Sequence, residues 1–454
     1  MASFKITRRS LLGSIAFGAA GVLLAACQPQ IVKETVIVEK EKVVKETVVI
    51  KETVAAQPAA SAEIRFMDES EYGPEGYKVF TDELIPKFEA LNPGIKVQFE
   101  PATGDWFQKT TAAMAAGTAP DVLLAGGQWM EAEQLLPIEN EISAEEIADF
   151  YEAQLMAFRL DGHLYLLPKY VSTVVLAYNK DLFDKAGLKY PDENWTWTEF
   201  LEAAGKLTVR DAGGKGSQWG YHVNHYFLPH WAWANEGEWM EGDFRGTKML
   251  IDQPKALEAL KFNWDLQYTH KYSPGSQETE GVAVWDSFQA GIIGFYEAHS
   301  WQVTDFLKRN TFNWEYTLLP KGPTGKRVGH IFADGYGIFK GTKAREASAA
   351  FLRFMTSAET ERVTCTSLLG LQPSRKSVAS AWDTLSKGAK AGKNVQAFSA
   401  MAKIARLDPY FKNQGKVDEI FSPIWDAIWT TGSRPLEEGV AEIVKYVNEV
   451  LANA

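Results

Sequence analysis

A nearly continuous hydrophobic run occupies residues 164–178, in the first half of the chain. Pro168 interrupts it, and the part that begins at Val171 is rich in β-branched residues. A short run of this composition predicts a strand buried on both faces, because a half-exposed strand would alternate apolar and polar residues. Residues 179–181 then indicate a turn and the start of a helix. The pattern therefore predicts a strand that carries the chain from one lobe to another.

Strand and helix patterns alternate in the part of the chain before this run. Strands are predicted at residues 63–67, at 95–99 and up to Ala125, and helices at 77–91 and 106–116. This alternation is typical of a mostly parallel sheet that is covered by helices.

The second part of the chain continues the alternation. Thr196 and Glu199 have the spacing of a capping box and predict the start of a helix. A second crossing strand is expected near residues 333–338, and from about residue 377 the chain is predicted to be helical with breaks at Pro409 and Pro423. The other predicted elements are helices at 254–271, 282–290 and 343–355 and strands at 291–296 and 314–319. We therefore expect an α/β fold with two lobes.

The first 26 residues have the pattern of an export signal. Arg8 and Arg9 precede an apolar stretch that ends in the sequence LAAC at Cys27. The arginine pair resembles a twin-arginine export motif, and LAAC resembles the lipobox of bacterial lipoproteins. We expect residues 1–26 to be removed and Cys27 to carry lipid. A plain signal peptide is the alternative, and the export route stays open.

Residues 27–61 are predicted to form a tether between the lipid and the folded part. Residues 28–61 are rich in Lys, Glu, Thr and Val, contain no aromatic residue and repeat KETV at positions 33, 45 and 51. These spacings fit neither a heptad nor a 3.6-residue period, which argues against a coiled coil. A fully extended tether would reach about 110 Å.

Charge, cysteine content and motifs argue against several classes of protein. The 454 residues have a formal net charge of −11 and no basic block, so we expect no nucleic acid partner. With Cys27 lipidated, Cys365 is the remaining thiol and no intrachain disulfide can form. The sequence contains no recognisable catalytic motif, and the spacing of His222, His225 and His230 fits no standard metal site. We expect no enzyme activity, no cofactor and no metal.

Aromatic residues are the most informative part of the composition, with 15 tryptophans in the chain. A sugar has a C–H face that packs on an aromatic ring and a rim of hydroxyl groups that needs polar partners. The composition is therefore compatible with a carbohydrate site, although a core position is the more frequent alternative for any single tryptophan.

Three sequence segments carry a resemblance to a known family. They are LPxxxxxxxLxYNKDLFxxAGL at residues 167–188, PKFEALNPGIKV at 86–97 and AAGTAPDV at 115–122. They resemble family 1 extracellular solute-binding proteins, the sugar-capturing subunits of ABC importers, of which maltose-binding protein is the familiar relative.

The resemblance implies a two-lobed periplasmic-binding-protein-like fold of class II. Each lobe is expected to hold a mostly parallel sheet flanked by helices, and the lobes to be joined by hinge crossovers. The expected first lobe contains residues 62–172 and 336–375, and the second contains 175–333 and 376–454.

The expected ligand-binding residues combine loop position with this resemblance. Residues 297–301, EAHSW, resemble a family segment whose tryptophan stacks on a sugar, but Ala298 and His299 stand where a glycine is more usual. Arg375 could bind a carboxylate or pair with a structural acid, and both interpretations stay open. The full set is Glu69, Glu71, Trp106, Gln128, Trp129, Tyr170, Ser172, Asn224, His225, Tyr226, Glu297, Trp301, Asp334, Tyr336 and Arg375.

The resemblance also implies a function and partners. We expect a monomeric lipoprotein, anchored to the outer face of the cytoplasmic membrane, that delivers a carbohydrate to ABC transporter permease subunits served by a separate cytoplasmic ATPase. A binding protein for a non-sugar solute, such as a polyol phosphate or a small peptide, is the first alternative. A lipoprotein enzyme that acts on glycans is the second, and a sensor that hands bound sugar to a membrane receptor is the third.

Overall fold

The structure is a computed structural model that describes residues 61–69, 73–242, 244–275, 278, 283–367, 369–384 and 392–453. The predicted export signal, Cys27, the tether up to residue 60 and Glu71 lie outside these ranges. No helix within the described ranges is both long enough and apolar enough to span a membrane.

The strands of the described residues are β1 (Ala62–Glu69), β2 (Ile95–Ala102), β3 (Val122–Ala125), β4 (Arg159–Leu160), β5 (His163–Leu164), β6 (Leu166–Asn179), β7 (Val209–Arg210), β8 (Gly216–Tyr221), β9 (Ile293–His299), β10 (Trp314–Thr317), β11 (Gly329–Ile338) and β12 (Ala405–Leu407).

The α-helices of the same residues are α1 (Gly73–Lys78), α2 (Ile85–Leu91), α3 (Trp106–Ala115), α4 (Gly127–Glu131), α5 (Ala144–Ala148), α6 (Glu152–Ala157), α7 (Lys180–Lys185), α8 (Trp197–Leu207), α9 (Pro229–Ala234), α10 (Pro254–Trp264), α11 (Val303–Arg309), α12 (Arg345–Met355), α13 (Ala358–Thr366), α14 (Ala379–Thr384), α15 (Gln396–Ala402), α16 (Gln414–Trp429) and α17 (Leu436–Ala452).

One long sheet connects most of these strands, in the order β2-β1-β3-β11-β6-β9-β8-β7, with β10 added to β6 and β12 to β11. Towards one end, β1 is parallel to β2 and β3, and towards the other β8 is parallel to β9. In the middle, β6 and β11 run antiparallel to each other and to β9 and β3. The parallel parts are thus joined through two long central strands.

The central strand β6 is the predicted crossing strand. All its residues are buried, as the unbroken apolar run predicts. Its register with β11 shifts between Asp334 and Gly335. A Cβ atom at Gly335 would lie 2.8 Å from the carbonyl oxygen of Leu167 and 2.8 Å from Cζ of Phe158, so this close approach requires a glycine.

The buried apolar residues form two hydrophobic clusters, which we call the first core and the second core. The first core is built mainly from β1–β3, the start of β6 and α12, and the second from β8–β10, α8, α10 and the C-terminal helices. Strand β6 contributes Val171 to the first core and Val174 to the second. The exact lobe boundaries stay a prediction.

Three predicted elements differ in the structure. The stretch from residue 377 was expected to be helical up to Pro409, but it contains strand β12 (Ala405–Leu407), which pairs in parallel with β11. Pro423 was expected to break a helix, but α16 continues through it, because Pro423 is exposed while the buried Trp425 and Trp429 hold the following turns against the second core. The predicted helix at 282–290 is a short 3-10 turn at Val284–Asp286. There the Ser287 hydroxyl donates to the Val284 carbonyl at 2.8 Å. This bond competes with the backbone hydrogen bonds that a longer helix would form.

The packing of β8 on α8 generates a prediction for Gly220. A Cβ atom at this position would lie 2.1 Å from the carbonyl oxygen of Ala204, where backbone meets backbone. Gly220→Ala should therefore lower the free energy of unfolding by at least about 2 kcal/mol, measured by urea denaturation. Gly415→Ala is the control, because a Cβ atom there has no neighbour within 4 Å. Equal stability of the two variants would contradict the close packing.

Candidate ligand-binding site

A cavity of about 510 Å³ lies where the two cores meet along the central strands. Its lining combines strand, loop and helix residues: Glu75, Gly76, Tyr170, Ser172, Phe227, Trp285, His299, Trp301, Thr304, Asp305, Lys308, Arg309, Phe332, Asp334 and Leu369.

The floor of this cavity is built by the central strands. Tyr170 lies opposite Asp334, and Ser172 opposite Phe332, in the antiparallel pairing of β6 with β11. Alternate residues of a strand point to the same face, so these two pairs lie side by side beneath the cavity. His299, the last residue of β9, completes the floor next to β6.

Aromatic rings surround this floor. The ring centroids of Trp285 and Trp301 are 6.2 Å apart at an angle of 45°. The His299 ring lies 4.2 Å from the Phe227 ring and 5.2 Å from the Phe332 ring. Trp285 and Trp301 are only partly buried, so the cavity offers aromatic surface to a bound molecule.

Helix α11 supplies charged groups to the same cavity. Arg309 pairs with Asp286 at 2.7 Å and with Asp305 at 3.1 Å, and all three side chains are about half exposed. Lys308 is exposed on the same helix and also lines the cavity. Carboxylates and cations are therefore both within reach of a ligand.

His299 is the least expected polar group in the lining. Its side chain is buried, and its Nδ1 lies 3.0 Å from the Ser172 hydroxyl oxygen. Burial holds the pKa of His299 well below its ordinary value, and the nearby His330 and His230 lower it further. Its Nε2 has no hydrogen-bond partner among the described residues. A neutral imidazole at the cavity wall thus keeps one nitrogen available.

A buried polar network stands behind His299. Glu297 accepts a hydrogen bond from the Trp231 indole at 2.7 Å, and its Oε1 lies 3.0 Å from Nε2 of His230. His330 lies 2.8 Å from Asp408, and burial lowers the pKa of His330 as well. Glu297 is therefore held by protein partners and does not line the cavity.

A second cavity of about 350 Å³ lies next to the first. Tyr226, which is 57% exposed, lines it, and its ring is nearly parallel to the Trp285 ring at 6.5 Å. The two rings thus connect the two cavities. The rest of the lining is aromatic, apolar, polar or acidic: His225, Pro229, Trp239, Met249, Asp408, Pro409, Phe411, Gln414, Val417, Asp418, Phe421, Ser422, Trp425 and Asp426.

The structure brings together part of the predicted site. Tyr170, Ser172, Trp301 and Asp334 line the first cavity, and His225 and Tyr226 line the second. Asn224 is buried, and its side-chain oxygen accepts a hydrogen bond from the Tyr226 backbone at 3.2 Å. The structure does not describe the side chain of Glu69 or any part of Glu71.

Five other predicted residues line neither cavity: Trp106, Gln128, Trp129, Tyr336 and Arg375. Trp129 is 2% exposed, stacks on Phe107 at 5.1 Å and donates its indole N–H to Thr111 at 2.9 Å. Its ring is therefore a packed part of the first core, and a role in ligand contact stays a prediction.

Arg375 has the surroundings of a structural arginine. Its side chain is buried, with Nη1 3.3 Å from Asp149, and Nε donates to the Thr356 carbonyl at 2.6 Å. The guanidinium lies over the Phe150 ring, 4.1 Å from its centroid. Of the two interpretations left open, these contacts favour the pairing with a structural acid.

The sequence did not predict Phe227, Trp285, His299 or Phe332 as ligand-binding residues. For His299 the sequence did contain an indication, because this histidine stands in EAHSW where a glycine is more usual. Trp285 and Phe227 come from distant parts of the chain, and only the fold brings them together.

The buried His299 generates a prediction about pH. An unfolded histidine titrates near pH 6.5, whereas the folded pKa is well below that value. The unfolded state therefore binds more protons below pH 6.5, and stability is lost as the pH falls from there towards the folded pKa. When the pH is lowered from 7.5 to 5.5, the unfolding free energy of the original protein should fall by about 1.4 kcal/mol more than that of His299→Gln. Urea titrations at the two pH values measure both changes. An identical loss would mean that His299 is not buried as a neutral group.

Comparison with known proteins shows which family and which individual proteins this chain is similar to. A family model described as bacterial extracellular solute-binding protein matches residues 73–362. A binding protein of Brucella abortus is 28% identical over 393 residues, which is 84% of this chain and 91% of the relative. A maltooligosaccharide ABC transporter solute-binding lipoprotein of Streptococcus pneumoniae is 23% identical and covers 87% and 91%.

A solved structure has the same fold. The ABC substrate-binding protein of Listeria monocytogenes in complex with cycloalternan superposes with a TM-score of 0.75 and 25% identity, over 86% of this chain and 99% of that chain. The predicted two-lobed periplasmic-binding-protein-like fold is confirmed. Because the family model matches more than half of its residues, the chain belongs to the bacterial extracellular solute-binding protein family.

Proposed function

We propose that this protein captures an oligosaccharide outside the cytoplasm and delivers it to the permease subunits of an ABC importer. The observation that carries the proposal is the first cavity, whose strand floor presents hydroxyl, carboxylate and imidazole groups beside the rings of Trp285 and Trp301. Rings pack on the C–H faces of a sugar while the polar groups pair with its hydroxyls.

The second cavity supports an oligosaccharide over a single sugar. The Trp285 and Tyr226 rings are nearly parallel and lie between the two cavities, so successive units of a chain could pack along them. The names of relatives agree with this choice, since they include maltooligosaccharide-binding and arabinooligosaccharide-binding proteins. A mannitol-binding relative, 25% identical over half of the chain, keeps a non-sugar polyol as the second candidate.

Binding is proposed to close the two lobes about β6 and β11. A ligand that contacts both lobes binds the closed arrangement more tightly and so shifts the population towards it. Tyr170 belongs to the first core and Phe332 packs against the second, and both line the first cavity. A monomer, a separate ATPase and a lipid anchor at the outer face of the cytoplasmic membrane complete the proposal.

The first experiment compares two tryptophans by binding and by stability. The protein is screened by thermal shift against maltotriose, arabinotriose, mannotriose and mannitol, and the best ligand is titrated calorimetrically. Trp301→Ala should raise its Kd at least about tenfold while changing the melting temperature little, because the ring is partly exposed in the cavity. Trp129→Ala should instead lose about 3–5 kcal/mol of stability.

Three outcomes would contradict this part of the proposal. Normal binding by Trp301→Ala together with a much lower melting temperature would make Trp301 a core residue. Hydrolysis of a glycan during the titration would favour the enzyme alternative, and tightest binding of mannitol would favour a polyol ligand.

A second experiment tests the anchor. If Cys27 is the mature N-terminus, intact-mass analysis of membrane-extracted protein should show that residues 1–26 are absent and that acyl mass has been added. Cys27→Ser should then be recovered in the soluble fraction. A chain that begins at another residue without added mass would overturn both the anchor and the tether.

A further inference from the structure

The first and second cores touch at a place that is separate from the central strands. Helix α4 follows β3, and its residues Trp129 and Met130 belong to the first core. Arg245 and Tyr410 lie on loops flanked by Met240, Met249 and Phe411 of the second core. The contact of α4 with these two loops therefore joins the two parts of the molecule.

An ion pair forms the polar half of this contact. Arg245 Nη1 donates to Oε1 of Glu131, and the two side chains are only 18% and 26% exposed. A partly buried pair is screened less by salt and water than a surface pair, and separation of its partners would expose both charges.

Contacts other than the ion pair with Glu131 also fix the position of Arg245. Its guanidinium lies 5.4 Å from the centroid of the Tyr410 ring, which stacks on Phe244 at 5.2 Å. The backbone N–H of Gly246 donates to the Tyr410 carbonyl at 2.9 Å, so the two loops are tied together. Arg245 also has a φ of 55°, a left-handed conformation that a non-glycine residue keeps only where its surroundings fix it.

Gly127 forms the apolar half of the contact. A Cβ atom on Gly127 would lie 3.0 Å from Cζ and 3.1 Å from Oη of Tyr410. Gly127 is the first residue of α4 and its φ is not in the left-handed region, so alanine is acceptable to the helix itself. A methyl group at position 127 would therefore act on Tyr410, whose ring would have to shift by a few tenths of an ångström.

We propose that Glu131, Arg245, Gly127 and Tyr410 form a latch that holds the two lobes in the arrangement described above. The latch rests on the proposed function only in that the lobes must be able to separate. It makes Glu131 and Arg245 positioning residues that adjust affinity without lining either cavity. A ligand would bind more weakly to a protein whose latch is broken, because more of its binding energy would be used to bring the lobes together.

The test measures the separation of the lobes without ligand. Spin labels are attached to cysteines introduced at Lys109 and Lys416, which are exposed on α3 and α16, in the full chain carrying Cys27→Ser. Cys365 is fully buried and should not be labelled. Pulsed electron resonance should then show a short-distance population that falls at least about threefold in Gly127→Ala and in Arg245→Ala.

Two matched variants serve as controls. Arg345→Ala removes an ion pair, Arg345 with Glu141, that stays on the side of the first core, and Gly415→Ala adds a methyl group in open space. Neither should change the distance distribution.

The outcomes separate the latch from the proposed function. Distances that are the same in all variants, or a short population missing from the original protein, would overturn the latch. A shift of distances in a protein that binds none of the tested sugars would support the latch and contradict capture of those sugars.

Discussion

Lys169 and Asp68 form an ion pair almost entirely removed from solvent, and the arrangement of the central sheet depends on it. Nζ of Lys169 lies 2.5 Å from one carboxylate oxygen of Asp68, and the Tyr336 hydroxyl donates to the other at 2.7 Å. The charged side chains are 2% and 0% exposed. Removal of one partner from a buried ion pair typically costs about 3–5 kcal/mol. Because the three residues stand on β6, β1 and β11, the pair fixes how the crossing strands lie against the first core.

The polar groups of the cavity floor stand on paired strands, whereas two of the site's aromatic rings stand on irregular segments. The hydroxyl, carboxylate and imidazole groups of the floor stand on paired strands, so their spacing is set by the sheet. The rings of Trp285 and Tyr226 stand outside the strands, on segments that can differ in sequence without loss of the sheet. A change of sequence in these segments would alter the aromatic surface and leave the paired strands in place.

Much of the fold could be predicted because its signals are local. The unbroken apolar run of β6 and the capping box at Thr196 and Glu199 act within a few residues, and both elements occur in the structure. The site was only partly predictable. Trp129 and Trp301 both follow buried strands, yet Trp129 is covered because Phe107 and Thr111 of α3 reach it. No local pattern records that contact.

The same limit applies to Arg375 and Trp285. The acid that pairs with Arg375 is Asp149, more than two hundred residues earlier in the chain. Trp285 becomes a cavity residue only because Tyr226, Phe227 and Trp301 meet it in space. Tertiary contacts between such distant residues override what propensity and spacing can indicate.

The position of β11 in the sheet constrains the order in which the protein can fold. β3 pairs with β1 on one side and with β11 on the other, and β11 is made long after both. Until residue 338 has emerged, β3 has an unpaired edge and the first core lacks α12. An incomplete chain would expose that edge to other chains. The first core, although it begins with β1, is therefore completed only after most of the second has been synthesised.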